Sequence, residues 1–244
     1  MIDLHCHFLP GIDDGASTIE DSIALAEHAV NSGITHCVVT PHLHLGRYDN
    51  YREIIQDVFR DFKSALEESG IPLLLDFAAE VRICPEIISM VSQDKIPFLG
   101  SFEGCDVILL EMPHNQIPPG TDNMIRWLVN HNIRPMIAHP ERNKEIMAEP
   151  LKVNQLVNAG ALLQLTAGAV VGEFGSRCQV TAEYMLSRKM ATILASDAHN
   201  VKHRPPELEP GRRYVEKLLG ESMSWDLVLN TPKAITNNKF GDQT

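Results

Sequence analysis

The sequence predicts an α/β protein whose parallel strands close into a TIM-like barrel, as one domain over residues 1–244. Three observations carry this prediction. Seven short apolar, β-branched runs recur along the chain, helical patterns lie between most of them, and no Pro-, Gly- or Ser-rich linker divides it. Strand and helix alternating over the whole length argue a parallel sheet with helices outside. Seven or eight such units close most naturally into a barrel.

The candidate strands, in order, are Ile2–His5, Thr35–Thr40, Leu73–Ala79, Asp106–Glu111, Pro135–Ala138, Ala161–Leu165 and Thr192–Ala195. Between the first two, Glu20–Asn31 places Ile23, Leu25, Ala26 and Val30 near a 3.6 period. Ser17-Thr18-Ile19-Glu20 ahead of it reads as a capping box. Tyr51–Glu68 repeats Ile55, Val58, Phe59, Phe62 and Leu66 on one face and stops at Gly70. Thr121–Asn132, Leu151–Asn158 and Gln179–Arg188 carry weaker helical patterns. The polar tail 231–244 is expected to fray.

The histidines and acids fall where such a barrel does chemistry. His5 and His7 close the first strand, and Asp14 sits in the loop after it. His42 follows the second strand, Glu80 ends the third, Glu111 the fourth, and His139 the fifth. Asp197 and His199 end the seventh. In a parallel barrel the carboxyl ends of the strands share one rim. Two residues apart on extended chain, His5 and His7 share a face, and so do Asp197 and His199. Imidazoles and carboxylates without thiolate suit manganese, iron or zinc. Nine such side chains are too many for one ion and fit two or three. Taken singly each has a plainer account: histidines cap strands, and Glu80 could pair with Arg82. A purely structural role does not require such a residue at nearly every strand end. Arg142 and Arg204 fall in rim loops, where a planar fork suits phosphate oxygens, although a surface ion pair explains either one equally well.

Other classes are disfavoured. The net charge is −11 and no Lys/Arg run tracks a phosphate backbone, so nucleic acid is not an expected partner. The longest uncharged stretch, Asn154 to Gly172, holds Asn, Gln, Thr and Gly, so no membrane insertion is expected. MIDLHCH lacks a basic n-region followed by an apolar run, so a leader peptide is not expected. The five cysteines are scattered and odd in number, which points to reduced thiols and the cytoplasm. A cysteine phosphatase loop needs Arg six residues after its Cys. Those positions hold Ile12, Leu43, Met90, Glu111 and Tyr184. No Walker-A segment, GxGxxG or GxSxG elbow occurs.

Six segments together resemble a known family. They are His5-Cys6-His7, Leu9-Pro10-Gly11-Ile12-Asp13-Asp14-Gly15, Thr40-Pro41-His42, Glu80-Val81-Arg82, His139-Pro140-Glu141-Arg142-Asn143 and Ser196-Asp197-Ala198-His199-Asn200. In order and spacing, from residue 1 to about Pro206, the chain resembles the PHP (polymerase and histidinol phosphatase) superfamily. Within it the chain looks like the CpsB-type bacterial protein-tyrosine phosphatases of capsule and exopolysaccharide synthesis. The resemblance implies a distorted (β/α)7 barrel with three divalent metal ions, Mn²⁺ first among them. One ion would take His5, His7, Glu80 and Asp197. A second would share Glu80 and add Glu111 and His139, and a third would take Asp14, His42 and His199. Arg142 and Arg204 would hold the phosphate. The implied reaction is hydrolysis of phosphotyrosine by a metal-bound hydroxide, and the implied partner is a tyrosine autokinase. A phosphoesterase acting on a small metabolite such as histidinol phosphate would use the same ligands. The resemblance leaves the oligomeric state open, and with it any role of His44, Arg47, Tyr48 and His203.

Three divalent ions would add six charges to the four carboxylates Asp14, Glu80, Glu111 and Asp197, taking that site from −4 to +2 and the chain from −11 to −5. A metal-free rim is therefore expected to repel a phosphate dianion and a loaded one to attract it.

Overall fold

Alternating parallel strands and outer helices build a distorted TIM-like barrel, seen in a computed structural model that describes residues 1–241. The strands are β1 (Ile2–Cys6), β2 (His36–Val39), β3 (His42–Leu43), β4 (Leu74–Phe77), β5 (Glu80–Arg82), β6 (Gly100–Phe102), β7 (Cys105–Glu111), β8 (Ile133–Ala138), β9 (Leu162–Thr166) and β10 (Ile193–Ala195). The helices are α1 (Ile19–Asn31), α2 (Arg52–Ser69), α3 (Ile87–Ser92), α4 (Thr121–Asn130), α5 (Lys144–Ala148), α6 (Val153–Ala159), α7 (Ala167–Val170), α8 (Ser176–Ser187), α9 (Glu209–Leu219), α10 (Glu221–Trp225) and α11 (Thr231–Phe240). Among the described residues, no helix is long and apolar enough to cross a membrane.

The seven expected strands are present, and two short strands lie beyond the expected bounds. The second, expected to end at Thr40, is β2, and β3 follows it after Pro41, whose nitrogen has no hydrogen to donate. The third, expected to end at Ala79, is β4, and β5 follows it from Glu80. Pairing continues across both gaps, because Ala78 N–H donates to Val39 O (2.8 Å) and Glu80 N–H to Pro41 O (3.0 Å). One parallel run is β1-β2-β4, and another is β10-β9-β8-β7-β5-β3. The ring closes between its first and last members. Asp197 N–H donates to His5 O and His7 N–H to Ala198 O, both at 2.8 Å. This closure brings the His5/His7 pair alongside Asp197 and His199.

Helix ends follow local chemistry. α2 stops at Gly70, whose φ of +70° is the left-handed cap. α1 does have a capping box, set one residue later than the sequence suggested. Thr18 Oγ1 accepts from Asp21 N–H and the Asp21 carboxylate accepts from Thr18 N–H, each at 3.2 Å. β6 was not anticipated. It forms an antiparallel hairpin with the start of β7 through Glu103 and Gly104, both at positive φ, the geometry of a tight hairpin turn.

The expectation of a fraying tail does not hold for 231–240, and residues 242–244 lie outside the described residues. α11 buries Pro232, Ile235 and Thr236. Ile235 joins a cluster with Ile2, Val38, Leu109, Met136 and Ile193. Its carbonyl crosses Gly100 of β6, which has φ +147° and where an added Cβ would stand 2.1 Å from Ile235 O. Gly100→Ala should therefore cost about 1–3 kcal/mol. A urea unfolding midpoint unchanged from wild type would contradict this packing.

Candidate metal centre

All nine side chains singled out from the sequence meet at the carboxyl ends of the strands. His5 is the penultimate residue of β1, His42 opens β3 just beyond β2, Glu80 opens β5 just beyond β4, and Glu111 ends β7. His139 follows β8, and Asp197 and His199 follow β10. His139 (φ +35°) and Asp197 (φ +53°) adopt left-handed backbone, uncommon for residues other than glycine. Strain of this kind is concentrated where function fixes a side chain. A cavity of about 320 Å³ opens above the cluster, lined by Asp14, His42, Glu80, Glu111, His139 and His199 among others. His5 and His7 are fully buried behind it, against the lining carboxylates Glu80 and Asp197.

Glu80 and Asp197 organise the cluster. Glu80 is fully buried. Its Oε1 accepts from His139 Nε2 (2.8 Å), and its Oε2 lies 2.9 Å from His42 Nδ1, 3.3 Å from His5 Nε2 and 3.5 Å from His7 Nε2. Asp197 Oδ1 lies 3.2 Å from His5 Nε2 and 3.3 Å from His7 Nε2. Glu80 Oε2 and Asp197 Oδ1 are nevertheless buried without a hydrogen-bond partner. His5 Nε2 and His7 Nε2 face each other at 3.2 Å. Four sets of imidazole and carboxylate atoms each fall within 4.8 Å: His5/His7/Glu80, His5/His139/Asp197, His42/Glu80/Glu111 and His7/Asp14/His42/His199.

Residues behind the cluster fix which ring nitrogens face inward. His7 Nδ1 donates to the Asp13 carboxylate (2.7 Å). His5 Nδ1 donates to Gln164 Oε1 (2.9 Å), an atom identified as oxygen because it also accepts from His139 N–H (3.2 Å). His199 Nδ1 donates to Asp197 O (3.0 Å). Each of the three Nε2 lone pairs is left pointing into the centre, the arrangement that metal-binding histidines use. Orphaned carboxylate oxygens, inward lone pairs and a hard-to-intermediate donor set fit divalent cations.

The electrostatics of the cluster are those of unshielded charge. Burial works against protonating His42, but Glu80 and Asp14 hold its pKa at about 10. His5 and His7 are likewise raised by their carboxylates against the penalty of burial. Burial, with Glu80 beside it, pushes Glu111 up to about 7. His139 drops to about 4 through burial and the neighbouring Arg142.

Arg142 and Arg204 are both here. The Nη2 of each donates to Asp197 Oδ2. They are neither isolated nor simple surface pairs: Arg142 is 13% exposed, Arg204 29%. Arg142 also lies over the Phe174 ring at 4.9 Å.

A family model described as "Capsular polysaccharide synthesis, CpsB/CapC" matches residues 1–237. The chain belongs to the CpsB/CapC family. Tyrosine-protein phosphatase YwqE of Bacillus subtilis (strain 168) is 33% identical over 237 residues, 97% of this chain and 92% of that protein. A crystal structure from work on YwqE from Bacillus subtilis and CpsB from Streptococcus pneumoniae, described as unique metal-dependent tyrosine phosphatases, superposes with a TM-score of 0.90. It shares 32% identity and the match covers 97% of this chain and 95% of that one. An amidohydrolase from Mycoplasma synoviae shares the fold at a TM-score of 0.58 and 12% identity, over 96% of this chain and 87% of its own.

Several residues of this CpsB/CapC site were not singled out from the sequence. Asp13 holds His7 and also accepts from His42 N–H (3.0 Å). Gln164 holds His5. Glu141 is buried, its pKa pushed up to about 7 by burial, and it ties the Arg142 turn to β9 by accepting from Thr166 N–H (2.8 Å). Arg82 pairs with Glu111 (3.3 Å), not Glu80. A carboxylate next to Asp14 and an amide at alternate spacing on β9 were the available signals.

Removing the Asp13 carboxylate frees the His7 ring. Asp13→Ala should weaken Mn²⁺ binding about 10–100-fold, read by competition with a chelator. Retained affinity would show that the pair is only structural. Metal binding also has to displace the proton that His42 carries below about pH 10. Affinity should therefore rise with pH, by about 1.4 kcal/mol per unit for each proton displaced. Titration calorimetry at pH 6 and pH 8 gives the sign, and equal or weaker binding at pH 8 would contradict it.

Proposed function

We propose that this protein is a metal-dependent phosphotyrosine phosphatase. Its metals would be held by His5, His7, Asp14, His42, Glu80, Glu111, His139, Asp197 and His199, and its phosphate by Arg142 and Arg204. The observation that carries the reading is the buried floor of the cavity, where Glu80 Oε2 and Asp197 Oδ1 find no hydrogen-bond partner among inward-facing imidazoles. Three divalent ions, with Mn²⁺ preferred, suit nine ligands that divide into overlapping groups. When bound, such ions supply Lewis-acid stabilisation of phosphoryl oxygens and activate water at neutral pH.

The chain's own residues do the rest. Arg142 and Arg204 present planar forks whose remaining N–H groups match the equatorial oxygens of a phosphoryl group. Their shared anchor on Asp197 sets the spacing between them before substrate arrives. Phe174, beneath Arg142, and Tyr48 both line the cavity that the phenyl ring would enter. The leaving phenolate has a conjugate-acid pKa near ~10, so it needs less protonation than an alkoxide. No cysteine is among the residues lining the cavity. The Cys178 thiol is pushed up to about 12 by burial and Glu141, and Cys6 is raised by burial.

The natural substrate we propose is a tyrosine autokinase governing polysaccharide export. This rests on family membership and on the resemblance read from the sequence. The proposed compartment is the cytoplasm, where thiols stay reduced, in keeping with five unpaired cysteines.

The test is phosphate release by chelator-stripped protein with and without Mn²⁺, from a phosphotyrosine peptide and histidinol phosphate side by side. Mn-dependent release chiefly from the peptide is expected. Preference for histidinol phosphate would move the protein to small-molecule metabolism. Arg142→Ala should lower kcat/KM for the peptide by about 10²-fold or more, and unchanged kinetics would remove Arg142 from the site.

A further inference from the structure

The hairpin His44–Tyr48 stands at the mouth of the cavity and supplies nothing to the metal cluster. It is a built element. Tyr48 N–H donates to His44 O (2.7 Å) and His44 N–H donates back to Tyr48 O (2.9 Å). Gly46, at φ +78°, makes the reversal, and its N–H donates to the Asp49 carboxylate (2.8 Å). The Tyr48 ring stacks on His42, interplanar angle 10°, centroids 5.8 Å apart. Arg47, at the exposed tip, lays its guanidinium over that ring at 4.9 Å. The ring thus ties the position of Arg47 to a residue of the centre. A stacked guanidinium keeps its in-plane N–H donors for another partner.

Arg82 reaches the same mouth from the end of β5. Its Nη1 donates to Met112 O (2.8 Å), and its Nε pairs with Glu111. Arg47, Arg82 and His44 all line this mouth. Beyond Arg82 the same mouth is lined by His114 and Arg142. A chain of net charge −11 therefore presents a local basic lip beside its phosphate position.

We propose that Arg47, backed by Arg82, forms a second anion subsite that binds the carboxylate of an acidic residue flanking the phosphotyrosine. This rests on the phosphatase reading and adds a sequence preference to it. The lip is short and bears one exposed guanidinium, which suits a single carboxylate and not a polyanion, whose backbone needs a continuous track of cations. A neighbouring peptide residue lies about 3.3–3.6 Å further along extended chain, so a side chain one or two positions from the phosphotyrosine spans to the lip.

The experiment compares Mn²⁺-loaded wild type, Arg47→Ala and Arg47→Glu on three phosphotyrosine hexapeptides. The peptides carry Glu, Ala or Lys beside the phosphotyrosine, and p-nitrophenyl phosphate serves as an aryl phosphate without a peptide. Wild type should favour the Glu peptide over the Lys peptide by roughly fivefold in kcat/KM, expressed in KM. The preference should shrink as salt screens it. Arg47→Ala should bring the ratio close to one, and Arg47→Glu should reverse the order. Hydrolysis of p-nitrophenyl phosphate with no discrimination among the peptides would overturn the subsite and leave the phosphatase standing. So would a preference that survives Arg47→Ala. Failure to hydrolyse any aryl phosphate would overturn both.

Discussion

The structure turns on one constraint: the carboxylates of Glu80 and Asp197 lie almost wholly out of water at the closed end of the cavity. A buried carboxylate costs several kcal/mol unless cations or good hydrogen bonds compensate it. Here the compensation comes from five imidazoles, placed by β1, β3, β8 and β10, and from two arginines. Neither source satisfies Glu80 Oε2 or Asp197 Oδ1. The raised pKa values of His42, His5 and His7 are the counterpart of that buried negative charge.

The fold exists to hold that charge in place. Closure of β10 against β1 sets Asp197 beside His5 and His7. The short strands β3 and β5 then set His42 next to Glu80, paired residue to residue. Beneath these side chains lies a second ring of contacts. Asp13 fixes His7, Gln164 fixes His5 and the backbone of His139, and Ser196 donates to Asp3 through both its N–H and its hydroxyl. Glu141 locks the Arg142 turn to β9. The arginines thus share one anchor, Asp197, the residue that also faces the proposed metal positions.

Much of this was legible in the chain. Strand ends are readable because apolar, β-branched runs stop abruptly at His, Glu or Asp, as at Glu111 and His139. The pairing of His5 with His7 follows from the period of two along a strand. What escaped was of two kinds. Short or interrupted elements leave little pattern. β6 has three residues, the break at Pro41 is visible only once pairing is known, and α11 looks polar because little more than Ile235 and its neighbours are covered. Supporting contacts are the other kind, since Gln164 acts on His5 from 159 residues away and Asp13 reaches back to His7 and across to His42 from a loop. The capping box moved from Ser17 to Thr18 because Asp at N3 serves as well as Glu.

The claim at the centre is that cations create the phosphate site and do more than activate it. The most direct measurement is calorimetric titration of a non-hydrolysable phosphotyrosine mimic into chelator-stripped and Mn²⁺-loaded protein. The account predicts binding to the loaded protein and none to the stripped one. Equal affinity for the two would show that Arg142 and Arg204 suffice without metal, and would contradict it.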